Sequence, residues 1–309
     1  MGTHLVVGAG PTGAGTARKL ADLGHAVIVA TRSGTEVDHP GIEARSVDAN
    51  DATALAGVAT NIDAIYNCAN PPYYAWDADW PPLAKALLGV AERHGAVLVT
   101  MSNLYGYGPV NEPMTEGHPQ AATYPKGRVR ARMWQDALAA HNAGRIRATE
   151  ARASDFFGPG VGESAHMGSR MVDRALAGKT VTVVGDTDVP HSWTAMDDVT
   201  TLLARLGTDE AAWGRPWHVP TAPALSQRAL IHQLCEIAGV DPVKVRAYSG
   251  FELWIAGVFS KTIREVGDIL YQLEKPFVID SSDATEVFGL EATPTREVLS
   301  EIVNTSISV

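Results

Sequence analysis

Cysteine is nearly absent. Cys68 and Cys235 lie far apart and in no CxxC pair, which argues against a disulfide framework or a thiolate metal site. Ten histidines are present, yet none falls at HxxxH or HExxH spacing, so the common zinc pattern is missing too. No stretch approaches the roughly 18 uninterrupted apolar residues of a membrane span. The N-terminus enters an apolar strand almost at once, so the expectation is that there is no signal or transit peptide. Net charge is −10 with no basic tract, which speaks against nucleic acid as a partner. These absences lead to the expectation of a cytoplasmic, metal-free protein whose partner is a small molecule. With 309 residues, 45% of them hydrophobic and 19% charged, the chain can bury one large core or two unequal domains.

What is present concentrates at the start. Leu5 to Val7 reads as a buried strand, Ala14 to Leu23 as a helix closed by Gly24, and Ala26 to Ala30 as a second strand. Between the first strand and the helix stands Gly8-x-Gly10-x-x-Gly13, with Pro11 and Thr12 inside it. In that setting Gly8 allows a tight turn, Gly10 admits a pyrophosphate, and Gly13 lets the helix pack on the strand. The pyrophosphate then lies at the positive end of the helix. The second strand ends in Thr31, Arg32 and Ser33, with no acid before Glu36. An acid there would hold ribose hydroxyls, whereas an Arg accommodates a 2′-phosphate. NADP(H) is therefore the favoured cofactor, with NAD(H) as the alternative.

The alternation continues. Ile42 to Asp48 reads as a third strand, Asp51 to Val58 as a helix, and Ile62 to Cys68 as a fourth strand. Asp48 either bonds an adenine amino group or caps a helix. Ala69, Asn70 and Pro71 follow the fourth strand at the carboxyl edge of the sheet, where open α/β sheets bind ligands. Leu83 to His94 is a helix, Ala96 to Thr100 a fifth strand, and Ile146 to Ala153 a sixth. Between the last two, Tyr124-Pro125-Lys126-Gly127-Arg128 opens a helix running to about Asn142. Its stripe is Val129, Met133, Ala137 and Ala140, and its solvated or cofactor-facing side is Arg128, Arg130 and Arg132. Beyond Gly160 the alternation loosens. Val172 to Ala177 and Ser226 to Ala238 read as helices, with Thr180 to Gly185 and Trp217 to Pro220 as short strands. Phe251 to Leu273 reads as an amphipathic helical region, either a substrate-pocket wall or an oligomer interface.

These residues resemble the short-chain dehydrogenase/reductase superfamily, in the extended or atypical branch of NAD-dependent epimerases and dehydratases. The resemblance rests on the glycine turn, Asp48, Tyr107-Gly108, Gly158-Pro159-Gly160, His191 to Val199, and a tail helix from Asp280 to Gly289 followed by Pro294. It implies an α/β fold: a doubly wound parallel Rossmann sheet with a smaller, mostly helical C-terminal substrate domain. The dinucleotide domain would take 1–160 and parts of 190–220, and the substrate domain 161–189 and 221–309. A homodimer through helices packed on the sheet is what the resemblance allows.

It also implies a catalytic set. Family members place a Ser or Thr four residues before a Tyr-Gly, then a Tyr-x-x-x-Lys whose Lys lowers the phenol's pKa for proton exchange beside the nicotinamide. Counting from Tyr107 places Asn103 at the Ser position, with Ser102 beside it as a further candidate. Tyr124 matches the Tyr, but Arg128 stands four residues later and Lys126 only two. Arg128 shares a helix face with Tyr124, while Lys126 sits at the helix mouth, and the sequence leaves both open. Three functions follow. The first is an NADPH-dependent oxidoreductase reducing a carbonyl or conjugated carbonyl of a small molecule. The second is a redox-neutral epimerase or dehydratase on a nucleotide sugar, with Arg170, Arg174 and Lys179 as cations for the diphosphate. The third is a non-catalytic dinucleotide sensor, suggested by the missing Ser and displaced Lys.

Overall fold

The computed structural model of the chain describes residues 1–162, 165–253 and 266–307. Six of its strands are β1 (Thr3–Val7), β2 (Ala26–Thr31), β3 (Ile42–Ser46), β4 (Ala64–Asn67), β5 (Val97–Asn103) and β6 (Arg147–Ala153). With the edge strand Pro216–His218 they form a seven-stranded parallel sheet. The order runs from that edge strand through β6, β5, β4, β1 and β2 to β3. Chain order reverses between β1 and β4, so the crevice outside their carboxyl ends is the switch point of a doubly wound sheet. The expected α/β class and parallel sheet are what the chain adopts.

Each helix has a local reason. Pro11 stands at the first position of α1 (Pro11–Asp22), where its missing N–H costs nothing. Asp51 caps α2 (Ala52–Ala56) by accepting from Thr53 N at 3.0 Å and Ala54 N at 2.9 Å. The helix α3 spans Trp76–His94, beginning seven residues before the expected Leu83. Pro81 and Pro82 read as breakers in the sequence. Trp76 and Trp80, four apart on one face, are buried and anchor the turns before the prolines. The next helix, α4 (Pro125–Asn142), buries Lys126, Gly127, Arg130, Ala131, Trp134, Ala137 and Ala140. The expected stripe is thus rotated, and Arg130, expected on the solvated or cofactor-facing side, is buried.

Two compact units divide the chain. The first comprises Met1–Gly108, Pro119–Arg152 and Val199–Val219, and contains the sheet. Its core joins Leu5, Ile28, Ile65, Trp80, Leu87 and Leu98 with Trp134 of α4. The second comprises Pro109–His118, Ala153–Asp198 and Pro220–Val309. Its core joins Phe157, Met171, Trp193, Leu230, Leu234 and Leu299. It contains two short parallel strand pairs, Asp155–Phe157 with Trp193–Ala195 and Val181–Val183 with Val245–Ala247. Ser226 caps the helix Gln227–Ala238 by accepting from Ala229 N at 3.2 Å. Of the region expected as helical from Phe251 to Leu273, residues 254–265 lie outside the described residues. No helix among the described residues is long and apolar enough to cross a membrane.

Candidate functional site

The glycine turn joins β1 to α1 with three different constraints. Gly8 has φ of +106°, and a Cβ there would meet the Cys68 carbonyl oxygen at 2.7 Å. A Cβ on Gly13 would stand 2.0 Å from the Gly8 carbonyl oxygen, so α1 can sit this close to β1 only without a side chain. At Gly10 a Cβ would meet nothing within 4 Å. Gly10 is also the N-cap of α1 and makes no side-chain cap, leaving backbone N–H groups of the first turn without a capping side chain. A positive helix end without a capping side chain beside open space fits a pyrophosphate.

That turn forms one wall of a cleft of about 440 Å³. The structure brings together Gly8, Gly10, Thr31, Arg32, Asp48, Ala69, Asn70 and Pro71 on its lining, eight residues singled out in the sequence. Pro11, Thr12, Gly13 and Ser33 do not line it. Gly13 is buried under the turn, and the Thr12 carbonyl accepts from Thr16 Oγ1 at 2.8 Å. Ser33 Oγ is tied to Thr35 Oγ1 at 2.7 Å, and Thr35 N donates to Thr31 Oγ1 at 2.8 Å. Asp48 Oδ1 accepts from Asn50 N and Nδ2, both at 3.0 Å, so the helix-cap role belongs to Asp51 instead. Those bonds, with the nearby charge of Arg32, hold the Asp48 carboxyl below its ordinary range. Cys68 also lines the cleft, and burial pushes its thiol up to about 12, which keeps it unreactive.

The proposed catalytic residues gather around the start of α4. Tyr124 is the N-cap, with extended backbone, so it precedes the helix. Face counting from Tyr124 to Arg128 therefore does not apply. Arg128 is exposed and bonds the Thr123 carbonyl, whereas Lys126 is 4% exposed, with Nζ 4.6 Å from the centre of the Tyr73 ring. Tyr73 belongs to the segment that follows Asn70 and Pro71 of the cleft. The Tyr124 hydroxyl donates to the Tyr105 carbonyl at 2.9 Å. Its ring lies over Gly127, where a Cβ would approach Tyr124 Cζ to 3.1 Å. Asn103 Oδ1 accepts from Tyr105 N at 3.1 Å, leaving its amide NH2 as a donor. Ser102 is buried, and its hydroxyl bonds Glu150.

Beneath these residues lies a buried charged cluster that sequence reading missed. Glu150 and Arg152 are 1% and 2% exposed, and Arg152 Nε donates to Glu150 Oε1 at 2.7 Å. Arg152 Nη1 donates to the Tyr107 hydroxyl at 2.7 Å, and that hydroxyl lies 2.8 Å from His218 Nε2. Arg130 rests on the faces of Trp76 and Trp80, 4.6 Å and 4.3 Å from the ring centres. Its Nε has no partner among the described residues, and burial lowers its guanidinium to about 10. Burial raises the Glu150 carboxyl, against the charges of Arg152 and Arg130 and the Ser102 bond. The signal was partly available: Arg147-Ala-Thr-Glu150-Ala-Arg152 puts Glu150 and Arg152, two apart and so on one face, inside the stretch read as the sixth strand. Tyr107, the tyrosine of the Tyr-Gly pair from which Asn103 is counted, is 2% exposed and belongs to this cluster.

A glycine turn at the switch point and a lysine-bearing helix beside the carboxyl end of β5 define an enzyme of the short-chain dehydrogenase/reductase type. More narrowly, the chain belongs to the NAD dependent epimerase/dehydratase family, whose model matches residues 4–217. No curated protein sequence matches it. Among solved structures it is similar to dTDP-glucose 4,6-dehydratase from Bacillus anthracis in complex with NAD, with a TM-score of 0.81 at 17% identity. That match covers 100% of this chain and 97% of the other. UDP-glucose 4-epimerase from Thermotoga maritima with UDP-glucose gives a TM-score of 0.81 at 18% identity, covering 99% of both chains. UDP-glucuronic acid 4-epimerase from Bacillus cereus, in complex with UDP-glucuronic acid and NAD, gives 0.79 at 17% identity over 99% of both. At such identities these likenesses establish the fold.

Proposed function

We propose that the chain holds a nicotinamide dinucleotide in the cleft of Gly8, Gly10, Arg32 and Asp48 and acts as an epimerase or dehydratase on a nucleotide sugar. The observation that carries this reading is the family match over residues 4–217. It is supported by solved dehydratases and epimerases that follow the chain along 99–100% of its length. The open space at Gly10 fits a pyrophosphate, and the N–H groups of α1 would hold it. This displaces carbonyl reduction, the function that Arg32 favours in the sequence, as the leading reading.

When bound, the nicotinamide supplies hydride acceptance and return. The remaining work falls to the chain's own side chains. Lys126, buried against Tyr73, places positive charge at the start of α4, and Arg128, turned to solvent, does not. Tyr124 exchanges its present acceptor, the Tyr105 carbonyl, for a substrate oxygen and moves a proton there. Asn103 donates its amide N–H to the same oxygen, while Ser102 serves as an anchor to Glu150.

The test is to incubate the purified protein with UDP-glucose and dTDP-glucose and to analyse the sugar by NMR and mass spectrometry. A changed stereocentre at unchanged mass, or loss of water, without net consumption of dinucleotide, is the expected result. Unchanged sugars, together with NADPH oxidation by a simple ketone or enone, would replace this reading with the reductase. A specific observation favours that second reading: Arg32 lines the cleft where a 2′-phosphate would lie, and no acid ends β2. Arg32→Ala should then weaken NADPH binding far more than NADH binding, and equal losses would remove the phosphate role.

A further inference from the structure

A second cavity, of about 620 Å³, lies between α3 and α4 on the sheet face that the two helices cover. Its lining comes wholly from the first unit and shares no residue with the dinucleotide cleft. Strand alternation builds the inner end. Asn67 and Thr100 are register partners on β4 and β5 and so point to the same side of the sheet, with Leu98 on that side two residues earlier. Helical spacing builds the outer walls. Pro81, Lys85 and Leu88 recur along one face of α3, and Val129, Met133 and Asp136 along one face of α4.

Polarity changes from the inner end to the mouth. Asn67 is 2% exposed, and its Oδ1 has no hydrogen-bond partner among the described residues. A buried acceptor left without a donor is costly, and an O–H reaching the inner end of the cavity would remove that cost. Above it, half-buried Leu88, Val129 and Met133 make an apolar middle. Exposed charges ring the mouth, and most of them are already engaged. Arg132 Nε is 2.9 Å from the Asp136 carboxylate, Arg145 is paired with Glu92, and Arg128 bonds the Thr123 carbonyl. Lys85 and Arg128 have no carboxylate partner among the described residues, and Asp77 is the single unpaired carboxylate of the lining. The mouth therefore keeps an excess of positive charge.

We propose that this cavity is a second ligand site, which takes a slender hydroxylated carboxylate. The hydroxyl donates to Asn67 at the inner end, an apolar chain lies along Leu88, Val129 and Met133, and the carboxylate sits at Lys85 and Arg128. Complementarity selects that class. A cation at the mouth would be repelled, and a wholly apolar ligand would leave Asn67 unbonded. The volume is that of an ordinary small-molecule site. Neither Tyr124 nor Lys126 lines it, so the inference goes beyond the nucleotide-sugar reading and does not depend on it.

Three probes of one length separate the two polar ends: terminally hydroxylated decanoate, plain decanoate, and the uncharged decanediol. Each is titrated calorimetrically, below its micellar concentration, into the wild type, Asn67→Leu and Lys85→Gln. Leu at 67 keeps the volume and removes an unbonded acceptor, and Lys85 is exposed, so both variants should melt no lower than the wild type. The wild type should bind hydroxydecanoate about fivefold more tightly than decanoate, the worth of one neutral hydrogen bond. It should prefer hydroxydecanoate to decanediol by about threefold, as expected of an exposed ion pair, and high salt should close that gap. Asn67→Leu should erase the preference for the hydroxyl, and Lys85→Gln should narrow the preference for the carboxylate. In Lys85→Gln the hydroxyl preference should persist, which keeps the test decisive should Asn67→Leu fail to fold. Absence of saturable hydroxydecanoate binding would overturn the proposal. So would equal affinity for the three probes, or a hydroxyl preference that survives Asn67→Leu. Light scattering covers the remaining occupant: a paired chain that hydroxydecanoate neither binds nor separates would give the groove to a second copy and end the proposal.

Discussion

At one end of the candidate site the backbone does the shaping: Gly8 turns, Gly13 permits close packing and Gly10 leaves space, while of the side chains between them Ala9 and Thr12 are half-buried and Pro11 is exposed. At the other end side chains shape the site, with Lys126 under Tyr73, Tyr124 over Gly127, and Ser102 tied to a buried Glu150–Arg152 pair. The first depends on local geometry that a few glycines impose by themselves. The second depends on which residues the tertiary structure turns inward. Substitutions should therefore fail differently at the two ends, in stability, in binding or in chemistry.

The largest expected effect lies beneath the side-chain end. Arg152→Met strands the Glu150 carboxylate and removes a donor from Tyr107, which should cost about 3–5 kcal/mol in urea unfolding. A Glu150→Leu, Arg152→Met double variant should recover much of that loss. If the double variant is as unstable as the single one, the pair is not what supports the loop from Ser102 to Tyr107.

Next comes the chemistry itself. Lys126→Met should lower kcat by about a hundredfold or more once a substrate is in hand, with KM for the dinucleotide changed less. Arg128→Met should leave kcat close to wild type, since among the described residues its guanidinium bonds only the Thr123 carbonyl. Reversal of those two results would return the charge to the residue four after Tyr124.

The glycine end offers a finer contrast. Gly13→Ala must push α1 away from the Gly8 carbonyl and should destabilise by roughly 1–3 kcal/mol. Gly10→Ala meets no neighbour, so its melting point should hardly move, while dinucleotide affinity falls. Equal stability of the two variants, measured by thermal melting, would mean that the turn is less tightly packed than its geometry states.

The smallest expected effect lies at the start of β1. His4 is buried between the Tyr66 hydroxyl at 2.9 Å and His25 Nδ1 at 2.9 Å. Burial, reinforced by His25, lowers it from 6.5 to about 4. The folded state thus binds this proton more weakly than the unfolded chain. Stability from this group is complete above pH 6.5 and falls as the pH drops toward 4. Between pH 7 and pH 5 the loss should be roughly 1–2 kcal/mol, and His4→Gln should flatten that part of the profile. An unchanged slope in the variant would assign the acid sensitivity elsewhere.

The same contrast explains what was legible in the sequence. Strands β1, β2 and β4 are short apolar runs bounded by turn residues, and the glycine spacing between β1 and α1 has few alternative meanings. Eight of the twelve residues read as cofactor contacts consequently share one cleft. The start of α4 was harder, because Lys126 and Arg128 differ only in where the helix begins. Tyr124 as N-cap, rather than first turn, sends Lys126 inward. Arg130 turns inward for a related reason: two tryptophan faces of α3 accept a cation that the sequence pattern sets on the solvated or cofactor-facing side. The buried pair in β6 escaped notice because Glu and Arg two apart read as surface residues unless the strand is known to be covered on both faces.

Identification of the dinucleotide is the most direct test of the central claim. Freshly purified protein would be denatured and any released nucleotide identified by mass spectrometry, and the emptied protein titrated with NAD+, NADH and NADPH beside Gly10→Ala. The account predicts one nicotinamide dinucleotide per chain, either released or taken up, and weakened binding in Gly10→Ala at unchanged melting temperature. Stoichiometric NAD+ surviving purification would favour the redox-neutral reaction. A wild-type protein that releases none and binds none would contradict the account at its root.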